Sequence, residues 1–243
     1  MSQIDPTNIS RFVEQLRRGT MVETQNLLPW GSNFTLLVQM SCNTNDILAI
    51  YKPRRGERPL WDFPDGTLCR REVAAFEVSE ALGWHIVPPT VLRDGLHGLG
   101  MVQAYIDHDP KQHYFTFGED QKEQLRRIAL FDHLINNADR KGGHCLLDST
   151  GRLWAIDHGI SFHEVSKLRT VIWEFAGQRI SPELLRDLRY FVEKLEGKTE
   201  ESVIGQLLSA TETAALQKRG RALLRTSSYP EPGAGRQYPW PPV

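Results

Sequence analysis

The spacing of apolar positions changes several times along the chain, and each change marks an element. Near the N-terminus Phe12, Val13 and Leu16 form one helical stripe. Asn8 or Ser10 can cap its start and Gly19 can end it, so the pattern predicts a helix from about residue 8 or 10 to 18. The period then shortens. Within 20–52, residues 34–40 and 47–51 read as two strands joined by the polar turn Asn43-Thr-Asn-Asp46, a hairpin. A stretch rich in proline, glycine and arginine, Lys52-Pro-Arg-Arg-Gly-Glu-Arg-Pro-Leu-Trp-Asp-Phe-Pro-Asp-Gly66, leads to a helix predicted over 70–82 and closed by Gly83. Extended segments over 86–92 and 100–106 complete a small sheet carrying one helix.

The second half is mainly helical. Leu125, Ile128, Ala129 and Ile135 recur at helical spacing over 119–136, and Asp132 falls on the same apolar face, where it needs a polar partner; we read it as a brace for the loop that follows. Short apolar runs over 145–147 and 153–156 flank the turn Asp148-Ser-Thr-Gly151 and predict a second hairpin. Ser181-Pro-Glu183 is a helix start, with a cap residue and proline at the first helical position, and a last helix covers 212–224. From Thr226 the chain is too rich in proline and glycine to fold alone, so it is either disordered or an extended strap anchored by Trp240. There is no internal repeat.

Composition adds bounds. With 243 residues, 40% hydrophobic and 24% charged, the chain suits one large domain or two small lobes. Lys+Arg 29 against Asp+Glu 30 leaves a net charge of -1, which excludes a general basic field for nucleic acid. Cys42, Cys69 and Cys145 are far apart and form no CxxC pair, so neither a disulfide framework nor a cysteine zinc site is expected, and a reducing compartment fits. The start Met-Ser-Gln-Ile-Asp-Pro-Thr has no basic, then apolar, pattern, and no run approaches the roughly 18 apolar residues of a spanning helix. The expectation is a cytoplasmic protein without integral membrane association.

The densest polar cluster is Asp132-His-Leu-Ile-Asn-Asn-Ala-Asp139-Arg-Lys-Gly-Gly-His144, followed by the hairpin and Asp157-His-Gly159. A tight hairpin returns Asp157 to the end where Asp139 lies, with the His144 imidazole beside them and Gly142, Gly143 and Gly159 permitting close backbone approach. Oxygen ligands near a glycine turn suit a hard divalent cation carrying phosphates, and a second carboxylate can orient a hydroxyl as general base. In the first half Lys52 ends a strand. Helical spacing over 70–82 groups Ala74, Ala75, Val78, Ala81 and Leu82 in one arc with Glu72 at its edge and Glu77 and Glu80 opposite, so Glu72 is the carboxylate that can reach Lys52.

In this order the fragments resemble the phosphatidylinositol 3-/4-kinase-like branch of the protein-kinase fold, above all type II phosphatidylinositol 4-kinases and their bacterial relatives, and more distantly HipA-type toxin kinases. The resemblance runs from about Gly31 to His163. It rests on a phosphate loop (Gly31-Ser-Asn-Phe-Thr35), Tyr51-Lys-Pro53, Arg71-Glu-Val-Ala-Ala75, Leu82-Gly followed by Ile86-Val-Pro-Pro-Thr90, Asn137-Ala-Asp-Arg140 and Ile156-Asp-His-Gly159. It implies an α+β, two-lobed kinase-like fold: an antiparallel-sheet lobe over 1–106, a mainly helical lobe over 107–225 and a tail over 226–243.

The resemblance further implies that ATP is bound with Mg2+ or Mn2+. Ser32, Asn33 and Lys52 would meet the phosphates, Gln103 to Tyr105 would lie beside adenine, Glu72 would hold Lys52, Asp139 would orient the acceptor hydroxyl and Asp157 would bind metal. His144 stands where the family places a metal-binding asparagine, and Gly31 is the single glycine of its phosphate loop.

Plainer readings exist for each residue. A strand-end lysine is usually solvated, Glu72 could pair with Arg71, and aspartates often cap turns. His144, His158 and His163 could be structural, and Arg54, Arg55 and Arg58, with Arg70 and Arg71, could be an exposed basic face or bind an acidic substrate. Beside a kinase acting on a protein or small molecule in preference to a lipid, two other functions fit: a catalytically silent nucleotide-binding module, and a metal-dependent hydrolase built from His144, Asp157, His158 and His163.

Overall fold

The computed structural model describes residues 4–27, 34–42, 46–197 and 202–243. The apolar stripe near the start forms α1 (Ile9–Arg18), which buries Ile9, Phe12 and Leu16. Five strands, β1 (Thr20–Leu27), β2 (Leu36–Ser41), β3 (Ile47–Pro53), β4 (Thr90–Gly95) and β5 (Gly98–Ala104), form an antiparallel sheet in the order β1-β2-β3-β5-β4. Between β3 and β4 the chain inserts α2 (Leu68–Ala81). Alternation along β3 sends Ile47, Ala49 and Tyr51 into the core. Lys52 is therefore left on the opposite face, where its cross-strand partner is Met101 and that of Ile50 is Gln103.

The second half supplies α3 (Lys122–Ile135), the hairpin β6 (Cys145–Leu147) and β7 (Leu153–Ala155), then α4 (Pro182–Gly197), α5 (Val203–Leu207) and α6 (Ala210–Thr226). This α+β arrangement, a small antiparallel sheet with one key helix set on a mainly helical half, is the one expected. One apolar core runs through both halves, from Phe12 and Leu16 through Phe131 and Trp154 to Leu216 and Leu223.

Several elements differ from expectation for local reasons. Strand β1 escapes the apolar pattern because it is a sheet edge; among its described side chains only Met21 is buried. The extended segment expected over 86–92 becomes a strand only at Thr90. Ser79 Oγ accepts the N–H groups of Ile86 and Val87 at 2.9 and 3.3 Å, and Pro88 and Pro89 have no N–H to give a ladder. Helix α2 starts before residue 70 because Glu57 accepts the N–H groups of Leu68 and Cys69 at 3.1 and 2.8 Å, a cap supplied from outside the helix. Residues Glu119–Gln121 form a 3-10 turn ahead of α3, and α6 begins before residue 212 through a reciprocal Ser209–Glu212 capping box. The turn expected at 43–46 lies mostly outside the described residues.

The tail is a strap, but Trp240 does not anchor it: that side is 78% exposed. Buried Tyr229 does so, donating its hydroxyl to Arg126 O at 3.0 Å. Further on, Thr170 N–H donates to Gln237 O and Gly142 N–H to Pro242 O, at 3.1 and 2.8 Å. Among the described residues no helix is long and apolar enough to cross a membrane. All three cysteines are free thiols.

Candidate active site

Lys52 is the centre of the site. Its Nζ lies 2.8 Å from Glu72 Oε1 and 2.7 Å from Asp157 Oδ1. Strand β3 brings the ammonium from the sheet, α2 brings the carboxylate, and the segment after β7 brings Asp157. Burial alone would lower the lysine's pKa, but the two carboxylates outweigh it and hold it above the ordinary value. Burial pushes the Glu72 carboxyl above its usual range despite Lys52. Desolvation would do the same to Asp157, yet Lys52 holds it well below that range. The second oxygen of Glu72 accepts the His158 N–H at 2.7 Å, so the glutamate also ties α2 to the segment carrying Asp157.

Asp157 sits at φ +61, a left-handed conformation uncommon for a residue with a side chain and a frequent mark of functional sites. Its side chain keeps 44% of its surface open. Facing it, the His144 Nε2 is 3.3 Å from Asp157 Oδ2. The other imidazole nitrogen, Nδ1, lies 3.1 Å from Asp139 O, which can only accept, and 3.5 Å from the Lys141 N–H, which can only donate; the shorter contact favours the tautomer with the hydrogen on Nδ1 and a lone pair on Nε2. Burial lowers the His144 pKa to about 4, which keeps the ring neutral near pH 7. A lone pair and a carboxylate oxygen thus face one another across the gap. That donor set suits a divalent cation, with a backbone carbonyl fixing the imidazole from behind. Among the described residues no group of three or more His, Cys, Asp or Glu forms a ready metal cage, so a cation here requires further oxygens from a bound phosphate chain.

Asp139 lines the same cavity of about 190 Å3 as Lys52, Glu72, Met101 and Asp157. Burial raises its carboxyl to about 6, opposed by Lys141, whose Nζ is 3.7 Å from Oδ2. The loop is held from below. Asp139 N–H donates to Asn137 Oδ1, and Asn137 Nδ2 to Asp132 Oδ1, each at 3.0 Å. Asp132 finds the partner its burial demands in Arg140, whose Nε lies 2.9 Å from Oδ2, both side chains being fully buried. The same guanidinium donates to Ile156 O at 2.7 Å and to His158 Nε2 at 2.7 Å, so it bolts the Asp139 loop to the Asp157 segment.

Sequence reasoning quoted Arg140 without giving it this role. The signal was present in Asp132, a buried acid needing a cation nearby. Arg71 carried no such signal. It does not pair with Glu72 but reaches Glu212 of α6 and donates to Ser161 O at 2.6 Å.

The remaining candidates are distributed unevenly. Gln103 shares the Lys52 face of the sheet, but its amide is buried and donates to Thr90 Oγ1 at 2.8 Å. The Tyr105 N–H donates to Leu48 O at 3.0 Å, which leaves it no hydrogen for a ligand. Ser32 and Asn33 lie outside the described residues. Of the three glycines, only Gly142 is required by close approach: a Cβ there would lie 2.9 Å from the Phe115 ring, whereas Gly143 and Gly159 meet nothing closer than ordinary contact. The four-residue hydrolase site does not assemble. His158 is turned inward to Arg140, and His163 Nδ1 accepts the Val165 N–H at 3.0 Å.

The fold is that of the protein-kinase-like proteins. Over 91% of this chain it is similar to the Golgi casein kinase crystallised with Mn/ADP bound, with TM-score 0.60, 16% identity and 76% of that chain covered. It also resembles hydra Fam20 solved with sugar (TM-score 0.58, 14% identity, 93% and 90% of the two chains). For the Helicobacter pylori proinflammatory kinase CtkA the values are 0.53, 11%, 88% and 94%. The chain belongs to the same family as Protein Rv2133c of Mycobacterium tuberculosis, to which it is 38% identical over 87% of its own length and 88% of that protein's. No family model matches it.

Proposed function

We propose that the protein is an ATP-dependent phosphotransferase that moves the γ-phosphate to a hydroxyl. The observation that carries this reading is one ammonium, Lys52, shared at 2.8 and 2.7 Å by Glu72 from α2 and Asp157 from beyond β7, with Asp139 on the same cavity. In this reading the lobes are 1–106 and 107–225 with the tail 226–243 behind them, and ATP lies in the cleft between them. The phosphatidylinositol 3-/4-kinase-like motif order supports that placement of the chain.

Lys52 binds the nucleotide phosphates and Glu72 keeps it aimed. Asp157 and His144 hold the cation that accompanies the nucleotide, and Asp139 orients the acceptor hydroxyl and takes its proton as the new O–P bond forms and the bond to the β-phosphate oxygen breaks. Mg2+ or Mn2+ bound there supplies charge neutralisation on the phosphates. A protein or small molecule is favoured over a lipid, since the sequence has neither a cysteine cluster for acylation nor a long basic amphipathic helix.

The test is transfer of label from γ-labelled ATP to added acceptors, together with metal-dependent ATP binding. Loss of both on Asp157→Ala supports the reading; absence of nucleotide binding by the unaltered protein overturns it. His144, in place of an asparagine, favours a second reading, a silent nucleotide-binding module. Binding without any transfer, unchanged by Asp139→Ala, would establish that reading.

A further inference from the structure

A second, larger cavity of about 490 Å3 adjoins the catalytic one and shares Glu57, Arg58, Leu60 and Leu68 with it. It lies between the segment following β3 and the β4–β5 turn. Its size suits a small phosphorylated molecule. Two exposed arginines on its wall each have a neighbour that limits where the guanidinium can go.

The guanidinium end of Arg54 packs against Gly66. A Cβ there would come within 2.2 Å of Arg54 Nε, and Gly66 is at φ +70, so only glycine admits the guanidinium in this position. Arg55 Nη2 bonds to His97 Nδ1. Arginine has no acceptor, so Nδ1 accepts and the hydrogen is on Nε2, which has no partner among the described residues. The His97 ring is fixed in turn, parallel to Tyr51 within 4° and edge-on to Phe34.

The charge on the wall is biased toward anions. Glu57, one of two carboxylates against three guanidinium groups, has both oxygens engaged by the N–H groups of Leu68 and Cys69. Both side chains are exposed, so a ligand can reach them, and their planar forks match the geometry of a phosphate. The phosphotransfer chemistry of Lys52, Asp139 and Asp157 does not use them.

We propose that this cavity binds a phosphate monoester carried by a soluble acceptor alcohol, and so presents the acceptor's hydroxyl to Asp139; this role rests on the phosphotransferase reading of the adjoining cleft. Arg54 and Arg55 are specificity residues for the acceptor, not for the nucleotide.

The experiment uses the full chain saturated with a non-hydrolysable ATP analogue and Mn2+, titrated by calorimetry with inorganic phosphate and with glycerol 3-phosphate. Both bind, and Arg54→Ala/Arg55→Ala weakens them at least tenfold while analogue affinity changes less than twofold. Gly66→Ala, which displaces the Arg54 guanidinium, weakens them in the same direction. A parallel arm offers vesicles containing phosphatidic acid, the lipid source of the same group. Three results overturn the proposal: neither soluble probe binding when the cleft is filled, the arginine variant weakening probe and analogue equally, or only the vesicles binding. A protein that does not bind the analogue at all refutes the phosphotransferase reading instead, and is recognised before any phosphate is added.

Discussion

Arg71 of α2 and Glu212 of α6 stand 141 residues apart in sequence and meet as an ion pair, with the arginine side chain 2% and the glutamate 13% exposed. Arg71 also donates to Ser161 O at 2.6 Å. The helix that carries Glu72 is thus clamped to the second half of the molecule by the residue immediately before it. On the same helix, Glu72 meets Lys52 and the His158 N–H next to Asp157.

Removing the clamp is costly on both counts. Arg71→Ala leaves Glu212 without its cation and is expected to cost about 3–5 kcal/mol, the range for breaking a buried pair. Urea unfolding measures this. ATP affinity should fall as well, because Glu72 loses its fixed position. A variant with unchanged unfolding midpoint and ATP affinity would show that the clamp contributes nothing.

Lys52→Met leaves Glu72 and Asp157 facing each other without a cation. Phosphoryl transfer is expected to fall by about 100-fold or more, the scale for losing one preorganised electrostatic contact. Rates from γ-labelled ATP check it, and ATP binding by fluorescence separates lost affinity from lost catalysis.

Asp139 sets a pH dependence. With its carboxyl at about 6 in the folded protein, the base form is present above that pH, so kcat/KM for transfer should rise through pH 6 and the rise should vanish in Asp139→Asn. Stability moves the other way. The folded pKa exceeds the unfolded value of 3.8, so folding favours the protonated acid, and this group's contribution is lost as pH rises from about 4 through 6. Asp139→Asn should therefore stabilise the protein at pH 8 but not at pH 3.5, as read from urea midpoints at the two pH values.

His144 predicts metal preference. An imidazole ligand suits Mn2+ better than Mg2+, and His144→Asn replaces nitrogen by an amide oxygen. In the presence of nucleotide the variant should bind Mn2+ about tenfold more weakly, while Mg2+ affinity is unchanged or improved. Electron paramagnetic resonance of Mn2+ reads this without any turnover, and an unaltered Mn2+ affinity would remove His144 from the site.

The tail separates two aromatic residues. Tyr229 is buried, 2% exposed, and Trp240 is 78% exposed. Tyr229→Ala should destabilise by about 3–5 kcal/mol and Trp240→Ala by less than about 0.5 kcal/mol. Thermal melts that rank the two in the opposite order would place the anchor at Trp240.

Much of the site was legible because local spacing carried it. Asp139 and Asp157 flank a short hairpin, and a hairpin returns its ends together whatever surrounds it. Lys52 follows an alternating strand, and alternation alone separates its face from that of Tyr51. Glu72 was found from helical spacing, yet the wheel placed it at the edge of the apolar arc, whereas α2 is covered on nearly every side and the glutamate is 2% exposed. A helix packed between two layers has no polar face for periodicity to show. Edge strand β1 and short α5 stayed hidden for the opposite reason, having too little burial to impose a period.

Residue order by itself therefore determined most of the elements, the hairpin that joins the two aspartates and Glu72 as the carboxylate within reach of Lys52. Tertiary structure alone decided the rest. It set Arg140 between Asp132, Ile156 and His158, turned His144 so that its lone pair faces Asp157, closed the Arg71–Glu212 clamp and laid the tail over Gly142. Each of these joins segments brought together only when the common core closes. A buried charge must find its partner in three dimensions, and the desolvation penalty that enforces the match specifies neither the distance along the chain nor the partner's identity.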